Sequence, residues 1–212
     1  DTDYFSPNHP YHNPYAADEA VMVFTGAMDY WPNIDAVQWF AQEILPLVRA
    51  DNPAACFYIV GSRPTEQVHA LAKLPGVRVT GTVPEVRPLI AHARVSVAPL
   101  RIARGIQNKV LEAMSMAKSV VVSPQALEGI EAEPGRELML AADAAQFVSV
   151  LSALLAQPND MLGRAARKQV EARYGWASNL ARVDSLLDSA LPASAPTSGA
   201  PHSRSVLEKE RT

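Results

Sequence analysis

Val21-Met22-Val23-Phe24-Thr25-Gly26 is a nearly unbroken apolar run closed by a glycine. A strand exposed on one face alternates apolar and polar side chains, whereas a run of this kind reads as a strand buried on both faces of a sheet. The pattern recurs at Cys56-Phe57-Tyr58-Ile59-Val60 before Gly61, at Val77-Arg78-Val79-Thr80 before Gly81, and at Val95-Ser96-Val97-Ala98 before Pro99. Between the first two runs, Val37, Phe40, Ala41, Ile44, Leu47 and Val48 recur at the i, i+3, i+4, i+7 spacing of one helix face, which predicts a helix over residues 34–49. Further helices are expected over 66–73, 85–93, 107–117, 144–157, 160–174 and 176–191, with strands at 119–123 and 138–141. Strands alternating with helices build a mostly parallel sheet covered on both faces. Right-handed crossovers make it a Rossmann-like α/β layer.

The chain has 212 residues, 48% of them apolar, which suits one globular domain with tails. Residues 1–20 hold Pro7, Pro10 and Pro14, four acids and no lysine or arginine, a linker composition. The stretch Leu191-Pro192-Ala193-Ser194-Ala195-Pro196 opens a tail over 191–212 that is too poor in apolar groups to offset its ordering entropy, so disorder is expected there. The folded domain is then 21–190. The abrupt start at Asp1-Thr2-Asp3, without an initiator Met or a signal pattern, reads as the interior of a longer protein.

Bulk properties exclude several classes. A net charge of −3 offers no basic surface for nucleic acid. The single cysteine, Cys56, sits in an apolar run and reads as a buried, inert thiol that fits a reducing compartment. No apolar run approaches the roughly 18 residues of a membrane span.

In an open α/β sheet, ligands bind outside the carboxyl ends of the strands. Four loops lie there. Gly26, Gly61 and Gly81 each follow a strand directly. One such glycine reads as an ordinary tight turn; three on one edge equally suit a backbone that must approach a ligand closely. The fourth loop, residues 99–108, carries Arg101 and Arg104 beside Gly105 and runs into Asn108 and Lys109 at a helix start. Cations oppose the dipole at a helix N-terminus, so an anion such as a diphosphate gives them a reason; a solvated basic turn is the plainer alternative. Lys109 and Glu112 share a helix face. They read either as a surface salt bridge or as a phosphate-neutralising cation and a carboxylate able to accept from a ribose diol.

Other signatures are missing. No G-x-G-x-x-G follows the first strand, and there is no Walker A sequence. His9 and His12 share the linker, but no acid or cysteine cluster completes a metal site. Trp31, Trp39 and Trp176 read as core or linker packing.

At this point the residues resemble a known group. Lys109-Val110-Leu111-Glu112-Ala113-Met114-Ser115-Met116, followed by Lys118-Ser119-Val120-Val121-Val122-Ser123, is similar to the donor-site motif of retaining glycosyltransferases of family 4. Asp1-Thr2-Asp3-Tyr4-Phe5-Ser6-Pro7 resembles that family's interdomain linker. Phe24-Thr25-Gly26 and Ile59-Val60-Gly61 resemble its first two strand ends, Val79-Thr80-Gly81-Thr82-Val83 its base-pocket strand, and Tyr174-Gly175-Trp176 the start of its last helix.

The resemblance implies one half of a GT-B fold: the C-terminal, donor-binding domain of an enzyme that moves a sugar from a nucleoside-diphosphate sugar to a glycan or lipid-linked acceptor. It implies no cofactor and no metal, with the acceptor met by a domain absent from this chain. It places the protein in the cytoplasm or peripherally at the inner face of the membrane. By carry-over, Gly26 and Lys109 would lie against the diphosphate, Arg63 and the backbone of Thr80, Gly81, Thr82 and Val83 near the base, and Glu112 on the ribose. Two departures stand out. The family usually has a glutamate, contacting the transferred sugar, where this chain has Arg104. The loop Ala27-Met28-Asp29-Tyr30-Trp31-Pro32-Asn33 lacks the family's usual cations, which leaves the phosphate charge to Lys109, with Arg101 or Arg104. This variant resembles a subgroup linked to bacterial exopolysaccharide assembly, including sugar transferases of the PEP-CTERM and exosortase system. No catalytic residue is assigned. Three alternatives stay open: a nucleotide-binding module without activity, half of a sugar-nucleotide epimerase, and an unrelated Rossmann-like regulator.

Overall fold

The computed structural model describes residues 1–176 and 180. Most of the expected last helix and all of the expected tail, 191–212, lie outside the described residues.

Six strands form one sheet: β1 (Ala20–Thr25), β2 (Ala55–Val60), β3 (Val77–Gly81), β4 (Val95–Ala98), β5 (Ser119–Val122) and β6 (Met139–Leu140). Their order is β3-β2-β1-β4-β5-β6 and every pairing is parallel. The expected Rossmann-like sheet is thus observed, in the strand order of doubly wound nucleotide-binding folds. The chain starts in the middle of the sheet at β1, builds outward to β3, then crosses back to β4. This places a topological switch point between β1 and β4.

Every residue of β1, β4 and β5 is buried, so both faces of the central sheet are covered. Successive side chains of a strand point to opposite faces. Met22 and Phe24 join one core with Phe40, Phe57 and Phe147, whose rings meet at 4.3 and 6.3 Å. Val21 and Val23 face the other way, with Tyr15 and Leu89.

The first crossover departs from expectation. α1 (Trp31–Trp39) begins ahead of residue 34, because Pro32 is suited to the first helical turn. It passes through a π-helical segment, Phe40–Ile44, into α2 (Leu45–Asp51). Pro46 has no N–H to close an α-helical turn, and Leu45 N bonds instead to Phe40 O across a wider ring. The wider turn shifts the buried face. Leu47, expected inside, is 53% exposed, while Leu45 is buried.

The other helices are α3 (Glu66–Leu71), α4 (Arg87–His92), α5 (Asn108–Ser115), α6 (Pro124–Leu127), α7 (Ala144–Ala156) and α8 (Asp160–Tyr174). α5 and α8 pack on each other and against β5. The sequence did not mark α6, which Ser123 caps by accepting from Ala126 N. Trp39 is buried as expected. Trp31 and Trp176, also expected as core or linker packing, are 55% and 68% exposed.

Residues 1–19 hold no helix or strand but are strapped to the domain. The Tyr15 hydroxyl donates to Leu89 O at 2.6 Å, and its ring meets Tyr58 edge-on. The Arg87 guanidinium lies 3.8 Å from the Tyr4 ring centroid and donates to Tyr4 O. Ser115 Oγ donates to Phe5 O at 2.6 Å. Cys56 is buried as expected; burial raises its thiol pKa, and its Sγ lies 3.5 Å from Glu19 Oε1.

Candidate functional site

A cleft of about 440 Å³ opens at the carboxyl ends of β1, β2 and β3, against the start of α5. Its floor is made by strand ends that approach one another. Gly26 N bonds to Val60 O at 3.0 Å, and Gly26, Val60 and Gly61 all line the cleft. Its walls include Thr25, Ala27, Ser62, Thr82, Val83 and Val86 on one side and Asn108, Lys109 and Glu112 on the other.

The helix start that faces this space is uncapped. Gln107 precedes α5 without a side-chain cap. Its Nε2 turns back instead to Arg104 O and Gly105 O. The first N–H groups of a helix have no partner within it and carry the positive end of the dipole. Lys109, in this first turn, adds a full charge. Both features favour an anion in the cleft.

Lys109 Nζ donates to Asn33 Oδ1 at 2.9 Å and lies 5.0 Å from the Phe24 ring centroid. Burial lowers its pKa to about 8, opposed by the nearby Glu112 charge. Burial in turn raises the Glu112 carboxyl above its usual range, opposed by Lys109. Among the described residues the two form no ion pair, because the lysine turns to Asn33. The surface salt bridge considered from the sequence is therefore not present. What remains is a lysine held over the cleft and a carboxylate free to accept hydrogen bonds.

Of the residues singled out in the sequence, the cleft brings together Gly26, Gly61, Thr82, Val83, Asn108, Lys109 and Glu112. Six others do not line it. Arg63 is exposed and pairs with Asp29 at 2.8 Å. Thr80 turns its hydroxyl to Gly81 O. Gly81 and Gly105 take left-handed conformations, φ 69° and 67°, that shape their turns. Arg104 is exposed on the loop before α5. Arg101 is the clearest correction to the expected phosphate contacts. Asp35 of α1 takes it in a two-point pair, Nε to Oδ2 at 2.9 Å and Nη2 to Oδ1, and its guanidinium lies 5.5 Å from the Trp39 ring centroid. Opposite charge on a neighbouring helix draws it into a separate hollow with Trp39, Glu43 and Ser123.

Asn33, Ser62 and Val86 line the cleft without having been singled out. Pro32 was the available signal for Asn33: a proline in the first turn starts α1 early enough to turn Asn33 inward. Among the described residues, no group of three or more His, Cys, Asp or Glu could hold a metal ion. No helix among them is long and apolar enough to cross a membrane.

The family described as "Glycosyl transferases group 1" matches residues 19–157. No curated protein matches the chain. Solved structures share the fold. HepE of Anabaena, in complex with UDP, superposes with a TM-score of 0.67 at 14% identity, covering 89% of this chain and 55% of that one. Sucrose-phosphate synthase of Thermosynechococcus elongatus gives 0.64 at 21% identity, covering 84% and 47%. The C-terminal domain of the group 1 glycosyl transferase LpcC of Francisella tularensis gives 0.63 at 13% identity, covering 83% and 98%. The chain thus spans about half the length of HepE and nearly all of the LpcC domain.

Proposed function

The chain belongs to the glycosyl transferases group 1 family, and from that premise we propose that its cleft binds the nucleoside diphosphate of an activated sugar. The observation that carries this is the meeting of Lys109, the uncapped start of α5 and the Glu112 carboxylate in one cleft at the carboxyl ends of β1, β2 and β3. The cation and the helix amides take the diphosphate. The carboxylate, with two acceptor oxygens, takes a vicinal diol such as that of ribose. Thr82 and Val83 lie at the far wall, where a base would rest. UDP is the first candidate, since HepE was solved with UDP, with UDP and glucose, and with UDP-glucose.

In this reading the domain is the donor-binding half of a two-domain transferase. The acceptor, a glycan or lipid-linked sugar, is met by a second domain. When the sugar leaves, negative charge grows on the diphosphate, and Lys109 with the α5 amides is already aimed at it. Such preorganised charge carries much of the rate in group transfer. The resemblance to retaining enzymes of family 4 supports retention of the anomeric configuration. The resemblance to exosortase-associated transferases supports a cytoplasmic role in bacterial exopolysaccharide assembly. Arg104, at the position where that family places a sugar-contacting glutamate, marks a changed sugar-facing end.

Titration calorimetry with UDP, GDP and ADP tests the reading. One of the three is expected to bind the folded domain, with a stoichiometry of about one; no heat with any of them overturns it. Transfer is expected of the donor-binding half only together with an acceptor-binding domain.

A further inference from the structure

Asn33 is a neutral amide, 4% exposed, in the lining of the cleft. Its Nδ2 donates to Ala27 O at 2.9 Å, and its Oδ1 accepts from Lys109 Nζ at 2.9 Å. One side chain thus ties the loop after β1 to the cation on α5. The fit is close: a Cβ on Gly26 would lie 2.7 Å from Asn33 Nδ2 and 3.4 Å from Lys109 Cε. The glycine makes room for both groups.

The surroundings of Lys109 are otherwise sparse. β1 offers the face of the Phe24 ring. The glycine loop offers Gly26, and the turn after β2 offers the neutral Ser62 at the opposite wall. Glu112, on its own helix, is the charged group that acts on it among the described residues. Asp29 and Arg63 are paired with each other outside the cleft lining. An ammonium has three donors. One goes to Asn33, leaving two for oxygens that enter the cleft.

We infer that Asn33 is a positioning residue, which holds the Lys109 ammonium over the cleft through a neutral acceptor and so leaves its charge uncancelled for a diphosphate. The inference rests on the reading of the cleft as a nucleoside-diphosphate site. It gives α1 a part in a site otherwise made by glycine turns and α5. It also divides the work between two helices: α1 supplies the holder, and α5 supplies the charge. An aspartate in the same place would still accept from Lys109 but neutralise it, and, having no donor, would give up the bond to Ala27 O. An alanine would leave the buried ammonium without that acceptor.

The two substitutions therefore move Lys109 in opposite directions while weakening the ligand alike, a signature that a merely structural residue would not give. The test is side-chain NMR titration of Lys109 in the ligand-free domain, assigned by Lys109→Arg, for wild type, Asn33→Ala and the near-isosteric Asn33→Asp. Calorimetry with UDP at pH 7 accompanies each. The Lys109 midpoint, about 8 in the wild type, is expected to rise in Asn33→Asp towards the ordinary lysine value of 10.5, and to fall further in Asn33→Ala. UDP affinity is expected to drop about tenfold or more in both, the loss of one charge-assisted contact. A Lys109 midpoint that stays put in folded Asn33→Asp overturns the inference, whether or not UDP binds. Opposite shifts of that midpoint in a wild-type fold that binds no nucleoside diphosphate would support the positioning of Lys109 and overturn the function proposed for the cleft.

Discussion

Gly61 lies so close to Gly26 that a methyl group built on it would sit 1.6 Å from the Gly26 carbonyl oxygen. The two strand ends meet there, backbone against backbone, to make the floor of the cleft. Gly61→Ala must push the loops apart, because neither atom belongs to a flexible side chain. Overpacking of this kind costs about 1 to 3 kcal/mol. Urea unfolding should show that loss, and UDP affinity should fall about tenfold or more. Gly105→Ala is the contrast. Its Cβ would meet nothing, so only the left-handed backbone is strained, at about 1 to 2 kcal/mol, and the floor of the cleft is untouched.

Lys109→Met separates binding from stability. Burial holds the lysine near 8 in the folded state, below its ordinary 10.5. Between those values the unfolded chain binds more protons than the folded one, so the wild type gains stability as pH rises through that window. The variant should lose that gain. At pH 7 its unfolding free energy should be unchanged, or higher by up to about 2 kcal/mol. Its UDP affinity should fall about 10- to 150-fold, the worth of a hydrogen bond to a charged group. A variant that unfolds while keeping its affinity would make Lys109 structural.

The same two groups set a pH range for binding. A bound diphosphate raises the Lys109 pKa, so affinity is full below about 8 and is lost as pH rises above it. Ribose donors favour the Glu112 carboxylate, whose pKa burial raises in the free protein. Affinity is therefore full above that raised value and is lost as pH falls through it. Calorimetry against pH should give two limbs. Lys109→Arg should remove the alkaline limb. Glu112→Gln should flatten the acid limb relative to wild type, phosphate protonation being common to both.

Arg101→Ala should leave the cleft alone. Its guanidinium is committed to Asp35, with the Arg101 side chain 49% exposed. Such a pair contributes about 0 to 1 kcal/mol, and UDP affinity should stay within about twofold of wild type. A large loss of affinity in calorimetry would return Arg101 to the phosphate.

Much of the fold was legible because strands buried on both faces leave continuous apolar runs in the sequence. Val95–Ala98 is one run, and its bounds are those of β4. The π segment was less legible. The helical spacing from Val37 to Val48 looks regular, and only Pro46 marks the break that turns Leu45 in and Leu47 out. β6 has two residues, too few for a pattern to set its bounds. At the cleft, Lys109 and Glu112 stood out in the sequence because charge at a helix start is unusual, and the structure places both in its lining. Arg101 misled for the related reason that charge alone carries no direction; Asp35, on another helix, decides where it points. Asn33 was hard to read because a polar residue near a helix start is commonplace. Its partner is Lys109, which the fold brings to it from 76 residues away.

The most direct test of the central claim is a backbone amide NMR titration of the folded domain with UDP. The account predicts saturable shifts centred on Gly26, Ala27, Val83, Asn108 and Lys109, with the amides around Arg101 and Trp39 little changed. Shifts confined to the Arg101–Trp39 hollow, or none at all with UDP, GDP or ADP, would contradict it.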